Sequence, residues 1–274
     1  MSAIPSGNTS RSASAEPTPG DPGEATPSEA RRNAPESAPA GCYTTARAVR
    51  GGVRHLERHV ARLTRDAALL GLGLPDPQAC RAALLAAARR EFPDRDGAVR
   101  LEVRAGESGP PRLLATTREL GPEPASWRAV LSRVRHPGPS PWSAAKTHER
   151  SLYERAAEDA ATAGADDALL ADADGCLVEG TRTNLIAVLA SGALVTPPLS
   201  RGAQAGVGRA ILIERAAELA EADIRLADVS DARELIAVNA LRGPRPVLSV
   251  AGRPVGLGVP GPWWRHLASV FASG

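Results

Sequence analysis

Lys146 is the only lysine in a chain that otherwise uses arginine for its strong bases. It stands in Ser143-Ala144-Ala145-Lys146-Thr147-His148-Glu149-Arg150, with small residues before it and a helical pattern after it. A guanidinium stays protonated in proteins, whereas an amine can be desolvated to a neutral nucleophile and form a Schiff base with a carbonyl. The plain alternative is a solvated surface lysine, so the choice turns on what accompanies it. Glu179 closes a predicted strand just before Gly180-Thr181-Arg182-Thr183-Asn184. A carboxylate partly buried beside a ring nitrogen keeps that nitrogen protonated; otherwise Glu179 is a surface residue at a strand end. Gly206-Val207-Gly208 lies where a loop becomes a helix, and free N–H groups with the positive dipole end suit a phosphate there. Glycines that merely relieve a turn would look the same. Asn239-Ala240, at a strand end, offers further N–H donors. Arg62, on the first helix, could pair a phosphate through its planar fork or simply face solvent.

Together these parts fit one requirement, that of pyridoxal 5'-phosphate. Its aldehyde takes the lysine, its ring nitrogen the acid, and its phosphate the helix dipole and the arginine. Other chemistries find less support. His148-Glu149 matches no metal motif, and Ser151 lacks the nucleophile elbow of a serine hydrolase. Cys42, Cys80 and Cys176 are odd in number and widely spaced, neither a disulfide framework nor a zinc set. No metal is expected, and a reducing, cytoplasmic setting is. A net charge of +2 with interspersed signs and 3% aromatic residues argue against nucleic acid as a partner. No run is long and charge-free enough to span a membrane, and the N-terminal stretch lacks the apolar core of a secretory signal.

The elements that must position these residues follow from periodicity. Residues 1–40 are Pro, Ser, Ala, Gly, Thr and Glu with few large apolar side chains, which predicts a disordered tail. Gly41 to Gly52 reads as a strand and turn. Leu56, Val60, Leu63 and Ala67 mark one face of a helix, and a second helix runs from Gln78 to Glu91 with Leu84, Leu85 and Ala88 inward. Val99–Arg104 alternates as a strand, with Arg112–Thr117 as its antiparallel partner. Residues 121–125, polar and proline-punctuated, read as a linker between an N-terminal domain, 41–120, and a larger C-terminal one, 126–274. Trp127–Val134 is a predicted strand and 149–164 a helix. A hairpin over 167–179 turns at Ala173-Asp174-Gly175. Further strands are predicted at 184–189 and 234–239, and helices at 207–220 and 263–270.

The order of these parts resembles the class-IV aminotransferase family, the fold-type IV pyridoxal-phosphate enzymes. The resemblance rests on His59-x-x-Arg62-Leu63, Lys146, Glu179 with Thr183-Asn184-Leu185, and Thr196-Pro197. It continues through Gly206-Val207-Gly208-Arg209 and Asn239-Ala240-Leu241-Arg242-Gly243. Within the family, Cys42-Tyr43-Thr44-Thr45-Ala46-Arg47 and Asn239-Ala240-Leu241 look most like the 4-amino-4-deoxychorismate lyases. The resemblance implies an α/β fold of two domains, the smaller N-terminal and the larger barrel-like, with the cofactor in the cleft between them. It implies that Lys146 carries the cofactor and shuttles the proton and that Glu179 faces the pyridine nitrogen. Arg62, Val207, Gly208, Asn239 and Ala240 would hold the phosphate end, and Tyr43 and Arg104 would lie near a small-molecule amino substrate. A homodimer is implied as well. The activity expected is elimination of pyruvate to leave 4-aminobenzoate, a step in folate biosynthesis. Transamination of a branched-chain or D-amino acid, and a non-catalytic binding protein of the same fold, are the alternatives.

Overall fold

The structure, a computed structural model, describes residues 38–106 and 109–273. The expectation of a disordered tail over residues 1–40 concerns residues that lie outside these, save 38–40.

Strand β1 (Gly41–Val49) turns through Arg50-Gly51, where Gly51 takes φ 76°, into the two-residue β2 (Gly52–Val53). Strand β3 (Asp96–Arg104) pairs antiparallel with β1 along its whole length, and β4 (Arg112–Glu119) pairs with β3, giving the order β2-β1-β3-β4. Helices α1 (Leu56–Leu69) and α2 (Pro77–Glu91) cover one face of this sheet. Asp76 caps α2 by accepting from the N–H groups of Gln78 and Ala79, with Pro77 in the first turn. Val99, Leu101 and Val103 point to the helices and meet Val60, Leu63, Leu84 and Ala88. The period-two geometry therefore sends Tyr43, Thr45, Arg100 and Thr116 to the opposite face, and that face is polar.

The second sheet has nine strands and curls into a half-barrel. Its elements are β5 (Trp127–Leu131), α3 (Ser151–Thr162), β6 (Asp167–Ala171), β7 (Leu177–Gly180), β8 (Asn184–Val188) and β9 (Leu194–Thr196). They continue through α4 (Val207–Arg215), β10 (Leu219–Glu221), α5 (Leu226–Val229), β11 (Glu234–Asn239), β12 (Gly243–Val250), β13 (Arg253–Pro254) and α6 (Pro262–Ala272). The strand order is β10-β9-β8-β11-β12-β5-β6-β7, with β13 on β12. Leu185 and Ala187 of β8 and Leu235 and Ala237 of β11 join Trp127, Leu169 and Leu177 in one core. The alternate residues, Ile186, Val188, Ile236 and Val238, pack against Ile211 and Leu212 of α4 and Leu267 and Phe271 of α6. A strand buried on both faces reads as a continuous apolar run, which is why these two were plain in the sequence.

Two expectations are corrected. The helix predicted over 207–220 ends at Arg215, because Leu219–Glu221 pairs parallel with β9 and buries Leu219 there. Strand β12 was not foreseen, since Pro244 and Pro246 argue against a strand. Both prolines face β11 partners at Val238 and Ile236, while the ladder to β5 on the other side begins only at Val247. The N–H groups they lack are not needed there.

Candidate cofactor site

A cavity of about 440 Å³ lies between the polar face of the first sheet and the part of the half-barrel formed by β7, the end of β11 and the start of α4. Tyr43, Arg62, Lys146, Glu179, Val207, Gly208, Asn239 and Ala240 all line it.

Lys146 is carried by a segment fastened to the part of the β1 edge that short β2 leaves open. The Tyr43 N–H donates to the Lys146 carbonyl at 2.9 Å, and Thr147 forms a bridge with Cys42. The Lys146 N–H donates to the buried Asp66 carboxylate at 3.0 Å. With its main chain held on β1 and α1, the side chain extends into the cavity. Its Nζ is 3.3 Å from Gln204 Oε1 and 5.1 Å from the Tyr43 ring centroid. Burial holds the ammonium well below its usual pKa; Arg150, Arg62 and Arg100 push the same way, and Glu179 opposes them.

Glu179 is buried at the end of β7 with each oxygen occupied. Oε1 accepts from the Tyr153 hydroxyl at 2.5 Å, and Oε2 from the Gln204 N–H at 3.0 Å and from Asn184 Nδ2 at 3.3 Å. Burial raises the carboxyl, and the bonds from Tyr153 and Gln204 pull it back. A cationic ring beside it would favour the ionised form further.

Arg62 and the N-terminus of α4 form the anion end. Arg62 Nε donates to Asp66 at 3.2 Å, but its Nη2 is buried with no hydrogen-bond partner among the described residues. The first internal bond at the start of α4 runs from the Ala210 N–H to the Gly206 carbonyl, so the N–H groups of the preceding residues have no acceptor within the helix. At Gly208, a Cβ would stand 3.0 Å from the Asn239 carbonyl carbon and from Val238 Cγ2. The missing side chain keeps this cup open. Asn239 itself is engaged in the adjoining turn, where its Oδ1 accepts from the N–H groups of Leu241 and Arg242. An unpartnered guanidinium nitrogen, a bare helix start, a desolvated amine and a buried carboxyl together fit pyridoxal phosphate, group for group.

Arg104 lies elsewhere. It pairs across from Gly41 at the far end of β3, is more than half exposed, and donates to Glu102 at 2.8 Å. The basic side chain of β3 that lines the cavity is Arg100, whose guanidinium lies 3.7 Å over the Tyr43 ring. Sequence reasoning also passed over Asp66, Tyr153 and Gln204, and quoted Asn184 within the Thr183-Asn184-Leu185 motif without giving it a role. Asp66 follows Arg62 by one helical turn and could have been found as an i,i+4 ion pair; Tyr153 and Gln204 carry no spacing signal.

No curated protein matches the chain. The solved structure of the Escherichia coli branched-chain amino acid aminotransferase is similar, with 20% identity, a TM-score of 0.75 and 83% of each chain covered. So is a hypothetical aminotransferase from Mycobacterium tuberculosis in its PLP-bound form, at 24% identity and a TM-score of 0.72, over 84% of this chain and 87% of that one. A presumed 4-amino-4-deoxychorismate lyase from Legionella pneumophila shows 21% identity and a TM-score of 0.75, over 84% and 89% of the two chains. At such identities the likeness speaks for the fold alone. Residues 41–250 match the family model of amino-transferase class IV. The chain therefore belongs to the class IV amino-transferases, pyridoxal-phosphate-dependent enzymes of fold type IV.

Proposed function

We propose that the enzyme is a 4-amino-4-deoxychorismate lyase, releasing pyruvate and leaving 4-aminobenzoate for folate biosynthesis. The observation that carries this reading is the wall given by β1, β3 and β4, which presents Tyr43, Thr45, Arg100, Thr116 and Arg118 to the cavity. A branched aliphatic side chain needs an apolar pocket, whereas a substrate bearing two carboxylates needs cations and hydroxyls. Arg100 takes the role that the sequence suggested for Arg104. We further propose that the enzyme acts as a cytoplasmic homodimer, with residues 41–120 and 126–274 as its two domains about the 121–125 linker. No helix among the described residues is long and apolar enough to cross a membrane.

Bound in the cavity, pyridoxal phosphate supplies an electrophilic aldehyde and a ring that takes up negative charge. In this reading Lys146, kept neutral by burial, is the base that removes the proton from the ring carbon bearing the substrate nitrogen and gives it to the departing enolpyruvyl group, which leaves as pyruvate. Glu179 holds the ring nitrogen protonated. Arg62 and the main chain at Val207, Gly208 and Ala240 hold the phosphate, and the Asn239 side chain fixes the turn that presents Ala240. Tyr43 and Arg100 orient the substrate and one of its carboxylates.

A single-turnover assay with aminodeoxychorismate tests this. Pyruvate with the cofactor recovered as its aldehyde supports the lyase; a keto acid with pyridoxamine phosphate replaces it by transamination. Protein that stays colourless with added pyridoxal phosphate would count against catalysis altogether.

A further inference from the structure

Gln204 joins the lysine amine to the buried acid, using both its side chain and its main chain. Its Oε1 is the acceptor 3.3 Å from Lys146 Nζ. Tyr153 stands on the other side of the same acid, its hydroxyl donating to Glu179 Oε1. The Gln204 N–H donates to the other oxygen of Glu179 at 3.0 Å, and the Gln204 carbonyl accepts from Asn184 Nδ2 at 2.9 Å. The loop around it is itself fixed, because the Ala205 N–H donates to the Ala144 carbonyl and the Arg65 guanidinium reaches the Ala205 carbonyl. One amide thus spans the distance between amine and acid from a backbone that cannot drift.

We propose that Gln204 is a positioning residue for Lys146, holding the amine toward the centre of the cavity and linking it, through its own main-chain N–H, to Glu179. It acts through Lys146 and Glu179, and it deepens the functional reading above by naming what orients the base. Lys146 is otherwise faced by Arg62 from α1, Arg100 from β3, Arg150 ahead of α3, Tyr43 from β1, Tyr153 from α3 and Glu179 from β7. Beside these, Gln204 brings a neutral acceptor within hydrogen-bond distance of Nζ. An amide in that place accepts a hydrogen bond without adding a charge, so it orients the amine and leaves it free to be neutral. A carboxylate there would favour the ammonium instead, and an aliphatic chain would favour the free amine while releasing its orientation.

Because the chain holds a single lysine, isotope-labelled lysine gives one side-chain NMR signal, and its titration reads Lys146 alone in the cofactor-free full chain. Q204E is expected to raise the midpoint by about one pH unit or more, the scale of one added charge at contact distance. Q204L is expected to lower it and to slow, by about tenfold, the appearance of borohydride-quenchable absorbance on adding pyridoxal phosphate. Q204N, one methylene shorter, serves where the leucine variant fails to fold, and is expected to slow colour formation likewise. An unmoved lysine midpoint in folded Q204E, or wild-type rates in Q204L and Q204N, overturns the proposal. The NMR titration uses no substrate, so its result stands whether the single-turnover assay reports a lyase or a transaminase.

Discussion

At the scale of single residues, the site is arranged so that each charge has a partner except where a ligand is expected. Arg62 spends Nε on Asp66 and keeps Nη2 unpartnered among the described residues. A charge-assisted hydrogen bond is worth about 1.5–3 kcal/mol. Arg62→Gln should therefore weaken pyridoxal phosphate binding by about ten- to a hundredfold in an absorbance titration; a change under threefold would mean the phosphate sits elsewhere. Asp66 is fully buried and accepts from Arg62, Arg65 and the Lys146 N–H at once. Removing one partner of a buried ion pair leaves an uncompensated charge, at about 3–5 kcal/mol. Asp66→Ala should lower the urea unfolding free energy by about that much, since Arg62 has no other side-chain partner among the described residues. A loss below about 1 kcal/mol, the range of surface pairs, would show Asp66 to be solvated in solution.

At the scale of elements, what matters is how the start of α4 meets the end of β11. Ala substituted at Gly208 would place its Cβ 3.0 Å from the Asn239 carbonyl carbon and 3.2 Å from Asn239 Cα, both backbone atoms with little room to give. The helix start must then move away from the Asn239-Ala240 turn, widening the cup that would surround the phosphate. Gly208→Ala is expected to weaken cofactor binding by about tenfold, or about 1.4 kcal/mol, while the melting temperature changes little because alanine favours the helix. Unchanged affinity on titration would remove Gly208 from the phosphate end. The same region shows what the sequence reveals and what it hides. Gly206-Val207-Gly208 and Asn239-Ala240 could be read because glycine before a helix and an apolar strand ending in a turn are local signals. Gln204 and Tyr153 could not, because they come from a loop and a helix that meet at Glu179 only once the half-barrel has curled. Arg100 and Arg104 share a strand face, and Glu102 pairs with both, so parity alone could not choose between them; the choice is made by position along the strand, since Arg100 stands opposite Thr45 and Thr116 at the cavity and Arg104 opposite Gly41 and Arg112 at the far end. The overlong 207–220 helix failed for a related reason, since only the neighbouring β9 turns Leu219–Glu221 into a strand.

At the scale of the whole molecule, buried histidines set the response to acid. His59 is buried under the first sheet, its Nδ1 2.6 Å from the Thr44 hydroxyl and its Nε2 without a partner among the described residues. Burial, with Arg62 and His55 adding to it, depresses its pKa to about 3. His136 is depressed to about 4 by burial, against the pull of Asp172. In the unfolded chain both titrate near 6.5. Between pH 6.5 and 4 the unfolded state therefore binds protons that the folded state refuses. The stability these groups contribute is fully present above pH 6.5 and is lost as pH falls. Each histidine costs about 1.4 kcal/mol per pH unit in that window. Glu179 and Asp167 work in the opposite sense, because burial raises both carboxyls and lets the folded state take up protons first. Their window runs from the raised folded pKa down to the ordinary carboxylate value, so it offsets part of the loss due to the histidines. Urea unfolding at pH 7, 6 and 5 should show stability falling across the series, the two histidines contributing about 4 kcal/mol to the fall. His136→Gln should reduce the slope by about 1.4 kcal/mol per unit, and His59→Gln should do the same if the fold accepts an amide against Thr44. A pH-independent unfolding free energy over that range, or a wild-type slope in folded His136→Gln, would mean that these imidazoles reach water and titrate normally in the folded protein.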